Sequence, residues 1–241
     1  MRVFNVETRP YGEEKIFTKK RIEIKPGVTI LVGCNGAGKT TLLQWIEEQL
    51  KQENVPYISF NNLHDGGSNS RSEALYNNDI HLLASLTCCS EGECIATNLM
   101  NLSKKLTYFM EHGKTNDRFS KLNNLMKELI TNGDEQQSEP VKERWVLLDA
   151  VDSGFSIDNI IDLKEYLLKP LTELDFDGEL YIVISANSFE MANGEQCLDV
   201  YNGKYTTFSD YEDYKNFILK SRERKEKRYE QLDVEKKYYM V

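Results

Sequence analysis

Residues 33–40 read Gly-Cys-Asn-Gly-Ala-Gly-Lys-Thr, and this segment is the strongest indication of the fold class. It matches the pattern Gly-x-x-x-x-Gly-Lys-Thr at every fixed position. An apolar run at 28–32 precedes it, and apolar residues at helical spacing over 42–50 follow it. Strand, glycine-rich loop and helix in this order predict a loop that binds phosphate groups, because backbone N–H groups and the helix N-terminus face the anion.

The residue types in this loop predict a role for each position. We expect Lys39 to reach the β- and γ-phosphates of a nucleotide, and the Thr40 hydroxyl to bind Mg²⁺. Asp149 ends an apolar strand at 145–148 and is the expected carboxylate partner of the same Mg²⁺. The predicted nucleotide-binding positions of the loop are Asn35, Gly36, Ala37, Gly38, Lys39, Thr40 and Thr41.

The remaining sequence predicts an α/β fold with a mainly parallel central sheet, because strand patterns alternate with helical patterns. Further strands are expected at about 55–60 and 180–185. Helices are expected at about 73–86, 92–112, 116–131, 158–169 and 209–230. Antiparallel strands are expected at the margins, near the N-terminus and as a hairpin around Asn202-Gly203.

The phosphate loop, with its internal Asn35, and Asp149 together resemble the ABC-type P-loop ATPase superfamily. The run Cys89-Ser90-Glu91-Gly92-Glu93 resembles the signature motif of that family. Its Ser-x-Gly-Glu form is typical of SMC-like and RecF-like ATPase heads and of stand-alone ATPases near them. Residues 152–155 resemble the loop that follows the family's second acidic motif, and 181–188 fall where the family has its switch segment.

The resemblance implies a mechanism that needs two ATPase subunits. Ser90, Gly92 and Glu93 would contact the nucleotide bound to a second subunit, so ATP would join two heads and hydrolysis would release them. The partner is a second copy of the chain or a related chain. Ser90 followed by Glu93 is also a helix capping box, and both interpretations can hold together.

Three positions depart from the family pattern. Ala150 replaces the glutamate that usually polarises the attacking water, and Asp152 is the nearest carboxylate that could substitute for it. Asn187 stands in place of the switch histidine. The glutamine of the family has no clear equivalent, with Asn61 and Asn62 as the nearest candidates. We therefore name Asp152 and Asn187 as water-positioning residues and expect slow hydrolysis.

The motif spacing favours a compact ATPase domain without the long coiled-coil arm of SMC-like proteins. Lys39 and Ser90 are 51 positions apart, and Ser90 and Asp149 are 59 apart. We expect an ATPase domain at 1–208, with a helical lobe at about 73–140, and a charged helical extension at 209–241. No sustained heptads of a coiled coil are present. An aromatic such as Phe4, Tyr11 or Phe17 could stack on adenine.

The charge distribution limits the partners. The 241 residues carry a net charge of -9, with +3 over residues 1–30, +4 over 215–241 and -16 between them. Any DNA contact is therefore expected at the chain ends. Over 215–228, a basic helix could also meet an acidic partner or an anionic membrane, or simply face solvent.

The sequence is compatible with three functions. The first is an ATP-dependent switch in DNA metabolism or in genome and phage defence. The second is a regulatory ATP-binding module that acts on a protein partner. The third, an ATPase subunit of a membrane transporter, fits the spacing least. The cysteine positions show no paired pattern, and the sequence has neither a signal peptide nor an apolar run of 18 residues. We therefore expect a cytoplasmic protein with no membrane insertion.

Overall fold

The computed structural model of this chain describes residues 1–6, 17–61, 74–75, 78–88, 91–113 and 142–239. Its strands are β1 (Arg2–Asn5), β2 (Arg21–Ile24), β3 (Gly27–Val32), β4 (Tyr57–Asn61), β5 (Glu143–Asp149), β6 (Glu179–Ser185), β7 (Gln196–Asp199) and β8 (Lys204–Thr206). Its helices are α1 (Lys39–Gln52), α2 (Ile80–Cys88), α3 (Glu91–His112), α4 (Ile157–Leu163), α5 (Lys169–Glu173), α6 (Phe189–Ala192) and α7 (Tyr211–Tyr239). The helix expected at 116–131 lies outside the described residues.

The central sheet has six strands in the order β4-β5-β6-β3-β7-β8. The first five strands pair in parallel, whereas β8 pairs antiparallel to β7 at one edge. A separate antiparallel pair, β1 and β2, precedes β3 in sequence. The predicted α/β class, with a mainly parallel sheet and antiparallel strands at its margins, is therefore confirmed.

Other elements cover both faces of the sheet. Successive residues of each central strand point to opposite faces and so enter different cores. Trp145 and Leu147 of β5 pack into one core with α1, β1 and β2. Val146 and Leu148 pack into the other core with α3, α4 and the start of α7. Continuous apolar strands of this kind are typical of parallel sheets buried on both sides.

The register of the sheet brings the carboxyl ends of its strands to one edge. Asn61 of β4 is opposite Asp149 of β5, and Asp149 is opposite Ser185 of β6. On the other side of β6, Ser185 is opposite Leu31, one residue before β3 ends at Val32. This edge is where parallel α/β sheets bind ligands.

A wide helical turn joins α4 to α5 and continues the helix past its expected end at 169. Residues 164–168 form a π-helical turn, and Pro170 follows at the start of α5. Proline lacks an N–H group and clashes with the carbonyl four residues earlier, and a widened turn relieves that conflict. No helix in the described ranges is long and apolar enough to cross a membrane.

Candidate functional site

The phosphate loop connects β3 to α1 and depends on glycine at two positions. Gly38 has φ 103° and directly precedes α1, a left-handed conformation that glycine adopts without strain. A Cβ atom on Gly33 would lie 2.9 Å from the Cβ of Ala37 and 3.1 Å from Cγ2 of Val200. The loop therefore closes tightly on itself and on the residue that follows β7.

Lys39, at the start of α1, folds back over this loop. Its Nζ donates to the carbonyl oxygen of Gly33 at 2.8 Å, and the side chain is buried. Burial lowers the pKa of the Lys39 ammonium below its ordinary value. Electrostatic interaction with the nearby Asp152 and Asp149 carboxylates opposes this shift. A phosphate oxygen would supply the anionic partner that the buried ammonium has only in part.

Thr40 and Asn61 meet on the two oxygens of Asp149. The Thr40 hydroxyl donates to Oδ1 of Asp149 at 3.1 Å, and the Asn61 amide donates to Oδ2 at 3.0 Å. The structure thus brings together the two side chains predicted as Mg²⁺ ligands. It also places Asn61 beside them, whereas the other candidate for the glutamine position, Asn62, lies outside the described residues. A hydroxyl and a carboxylate are the hard oxygen ligands that Mg²⁺ prefers.

Asp152 joins the turn after β5 to the segment after β6. Its Oδ2 accepts the backbone N–H groups of Asn187 at 2.7 Å and of Ser188 at 2.8 Å. Its Oδ1 is buried, and no hydrogen-bond partner is placed for it within the described part of the chain. Ala150 has φ 51°, so the chain leaves the extended conformation directly after Asp149. The two predicted water-positioning residues are therefore neighbours, but the carboxylate contacts the Asn187 backbone.

The C-terminal helix α7 also reaches the phosphate loop, a contact that the sequence did not predict. The Cys34 N–H donates to Oγ of Ser221 at 3.1 Å, and Lys225 Nζ donates to the Asn35 carbonyl at 2.9 Å. Ser221 follows Cys34 by 187 positions. No local sequence pattern indicates such a pair, and the basic run is the one feature of this helix that the sequence indicates.

Other predicted positions are placed only in part. Ser90 lies outside the described residues, as does Tyr11, whereas Gly92 and Glu93 belong to the first turn of α3. Phe4 is 1% exposed and stands edge-on to Trp145, with ring centroids 5.1 Å apart. Phe17 is buried as well. These two aromatic rings are core residues, and the expectation that either could stack on adenine is wrong because a base cannot reach them.

Comparison with solved structures finds chains of similar fold at low sequence identity. No protein-family model matches the chain, and no curated protein is significantly similar to it. A solved structure with a similar fold is an ATP-binding cassette of an ABC transporter in its ADP conformation. The identity is 16%, the match covers 92% of this chain and 97% of the other, and the TM-score is 0.45. A likeness this distant leaves the assignment of the site to the residues described above.

The two N–H bonds to Asp152 predict a measurable effect on stability. We expect Asp152→Ala to lower the free energy of unfolding by about 1–3 kcal/mol, because two part-buried N–H groups lose their acceptor. Asp152→Asn keeps an acceptor oxygen and should lose less. Urea denaturation measures both. The control is Asp162→Ala, an exposed carboxylate on α4, expected within about 0.5 kcal/mol of wild type. Equal stability of Asp152→Ala and the control would show that the two hydrogen bonds to Asp152 do not stabilise the fold.

Proposed function

We propose that this chain is a Mg-ATP-binding ATPase of the ABC type, with its ATPase unit at 1–208 and a charged helical extension at 209–241. One observation carries the proposal: the buried Lys39 ammonium lies in a glycine-rich loop next to the Thr40–Asp149 hydrogen bond. Lysine, hydroxyl and carboxylate in this arrangement fit a nucleotide phosphate together with a divalent cation. The α/β fold supports it, since the loop lies at the carboxyl edge of a parallel sheet.

The chemistry of the site follows from its charges. Lys39 would bind the β- and γ-phosphates once its bond to the Gly33 carbonyl is exchanged for phosphate oxygens. Thr40 and Asp149 would hold Mg²⁺, with Asn61 orienting the carboxylate through its other oxygen. Bound Mg²⁺ supplies positive charge that neutralises the phosphates. Backbone N–H groups within residues 35–41 would bind the remaining phosphate oxygens, apart from the Ala37 N–H, which donates to the Cys34 carbonyl at 3.0 Å.

Removal of the lysine charge tests the site directly. We expect Lys39→Ala to bring Mg-ATP binding below detection in isothermal titration calorimetry, because a charge-assisted contact to the phosphates is lost. The matched control is Lys51→Ala, an exposed lysine in the last turn of the same helix, which should bind ATP as wild type does. Undiminished ATP binding by Lys39→Ala would remove the phosphate-loop assignment.

We propose that the protein hydrolyses ATP slowly. Ala150 carries no group that can polarise water, and its left-handed backbone ends the side-chain alternation of β5. Asp152 offers the buried oxygen Oδ1, which has no hydrogen-bond partner among the described residues. We assign to that oxygen the positioning of the attacking water. The Asn187 side chain is exposed at the adjacent turn and could donate to the same water.

Asp152→Asn separates this catalytic role from the structural one. The amide oxygen can still accept the two N–H groups, whereas the amide nitrogen cannot accept a hydrogen bond from the attacking water. We expect turnover to fall about 10²-fold or more with little change in ATP affinity, measured as phosphate release at saturating Mg-ATP. Ala150→Glu is the companion variant and should raise turnover. Unchanged turnover in Asp152→Asn would exclude Oδ1 from catalysis.

The proposed biological role is an ATP-dependent dimerising switch in DNA metabolism or in genome and phage defence. Ser90, Gly92 and Glu93 of a second subunit would complete the nucleotide site, and the basic chain ends would meet DNA. One observation favours the second candidate, a regulatory module acting on a protein partner. Within the basic run of α7, Arg224 pairs with Asp199 and Lys225 binds the loop, so fewer cations are left for DNA. The transporter subunit remains the third candidate.

The oligomeric state tests the switch. Light scattering of Asp152→Asn with Mg-ATP should give twice the mass found without nucleotide, because slow turnover holds the dimer together. A monomer under both conditions would contradict a dimer of identical chains.

Addition of duplex DNA at increasing salt then separates the DNA role from the protein-partner role. A steep loss of affinity with salt supports the DNA role, and no binding at low salt favours the protein partner.

A further inference from the structure

Helix α7 supplies hydrogen-bond partners to the first half of the phosphate loop. Ser221 is buried, and its Oγ accepts the Cys34 N–H at 3.1 Å. Lys225 donates to the carbonyl oxygen of Asn35 at 2.9 Å. The two side chains are one helical turn apart and therefore lie on the same face of α7. A Cβ atom on Gly36 would lie 3.7 Å from Nζ of Lys225, so the ammonium is close to the loop backbone itself.

The same helix face also holds the segment after β6. Tyr214 lies seven residues before Ser221, and its hydroxyl donates to the Asn187 carbonyl at 3.0 Å. The Tyr214 ring is buried against Phe208. The Asn187 N–H in turn donates to Oδ2 of Asp152. One helix therefore contacts both loops that surround the proposed nucleotide site.

An ion pair next to Lys225 fixes α7 to the sheet. Arg224 donates to Oδ2 of Asp199 at 3.0 Å, and Asp199 is buried at the end of β7. β7 pairs directly with β3, the strand that leads into the phosphate loop. Asp199 also accepts from the Tyr201 N–H and the Asn202 amide, so the carboxylate is held from several sides. The position of α7 is thus tied to the strand on which the loop depends.

These contacts carry a role for α7 in nucleotide binding. We infer that α7 is a positioning element of the site: Ser221 and Lys225 hold the first half of the phosphate loop, and Tyr214 holds the segment at 187. Nucleotide affinity then depends on α7. By thermodynamic reciprocity, nucleotide binding stabilises the docked position of α7. This inference rests on the proposed function, since it assumes that the loop binds ATP.

Affinity for Mg-ATP, measured by calorimetry, tests the role of Lys225. We expect Lys225→Met to weaken ATP binding about tenfold, the loss that corresponds to a hydrogen bond from a charged donor. Lys225→Arg keeps a charged donor and should recover most of the affinity. The matched control is Lys220→Met, an exposed lysine on the same helix, which should leave affinity unchanged. Ser221→Ala is a second variant that leaves the Cys34 N–H without its partner and should also weaken ATP binding.

Amide hydrogen exchange supplies a readout that does not depend on affinity. In the nucleotide-free protein, Ser221→Ala should speed exchange at residues 33–38 relative to wild type. In wild type, Mg-ATP should slow exchange over 211–225. If wild type binds ATP while Lys225→Met and Ser221→Ala bind it equally well and leave exchange at 33–38 unchanged, the role of α7 is overturned and the proposed function stands. Failure of wild type to bind ATP would overturn the proposed function and this inference with it.

Discussion

The buried ammonium of Lys39 is the constraint on which the site depends. Taking a charged amine out of water is costly, and burial accordingly lowers its pKa. A carbonyl of the loop and the negative charge at Asp149 and Asp152 compensate for only part of that cost. The glycines of the loop, the register of the sheet edge and the turn after β5 place these groups in the same region of the fold as the Lys39 ammonium. Under the proposed function, a phosphate group would supply the remaining anionic partner of this ammonium.

The sequence could predict those parts of the structure that depend on local pattern. The strand, loop and helix around Lys39 and the carboxylate at the end of β5 follow from apolar periodicity and glycine spacing. The order of the strands could not be predicted, because pairing between β3, β6 and β7 depends on packing between distant segments. The sequence also could not predict that Phe4 faces the core, because the alternation in a strand near the N-terminus does not show which face is covered.

The basic run in α7 gives a second reason why the sequence does not predict the whole site. Counted as charge, residues 215–228 indicate a surface for an anionic partner, and the sequence offers no way to tell which cations are already engaged. In the structure Arg224 is paired with a buried carboxylate and Lys225 with a backbone carbonyl. A count of charges measures the net field, whereas the partners of each side chain depend on where the helix packs. The same limit applies to Asp152, whose two N–H partners lie 35 and 36 positions away.

The contact between Ser221 and Cys34 has a consequence for how the protein forms during synthesis. The loop is made early, yet its partner on α7 is added 187 positions later. Contacts between such distant positions form late in folding, because a long loop must close before they stabilise anything. A nascent chain that ends before α7 would hold the glycine-rich segment without its last hydrogen bonds. Under the proposed function, full affinity for nucleotide would be acquired only once α7 has left the ribosome, and bound nucleotide would then favour the finished fold over partial ones.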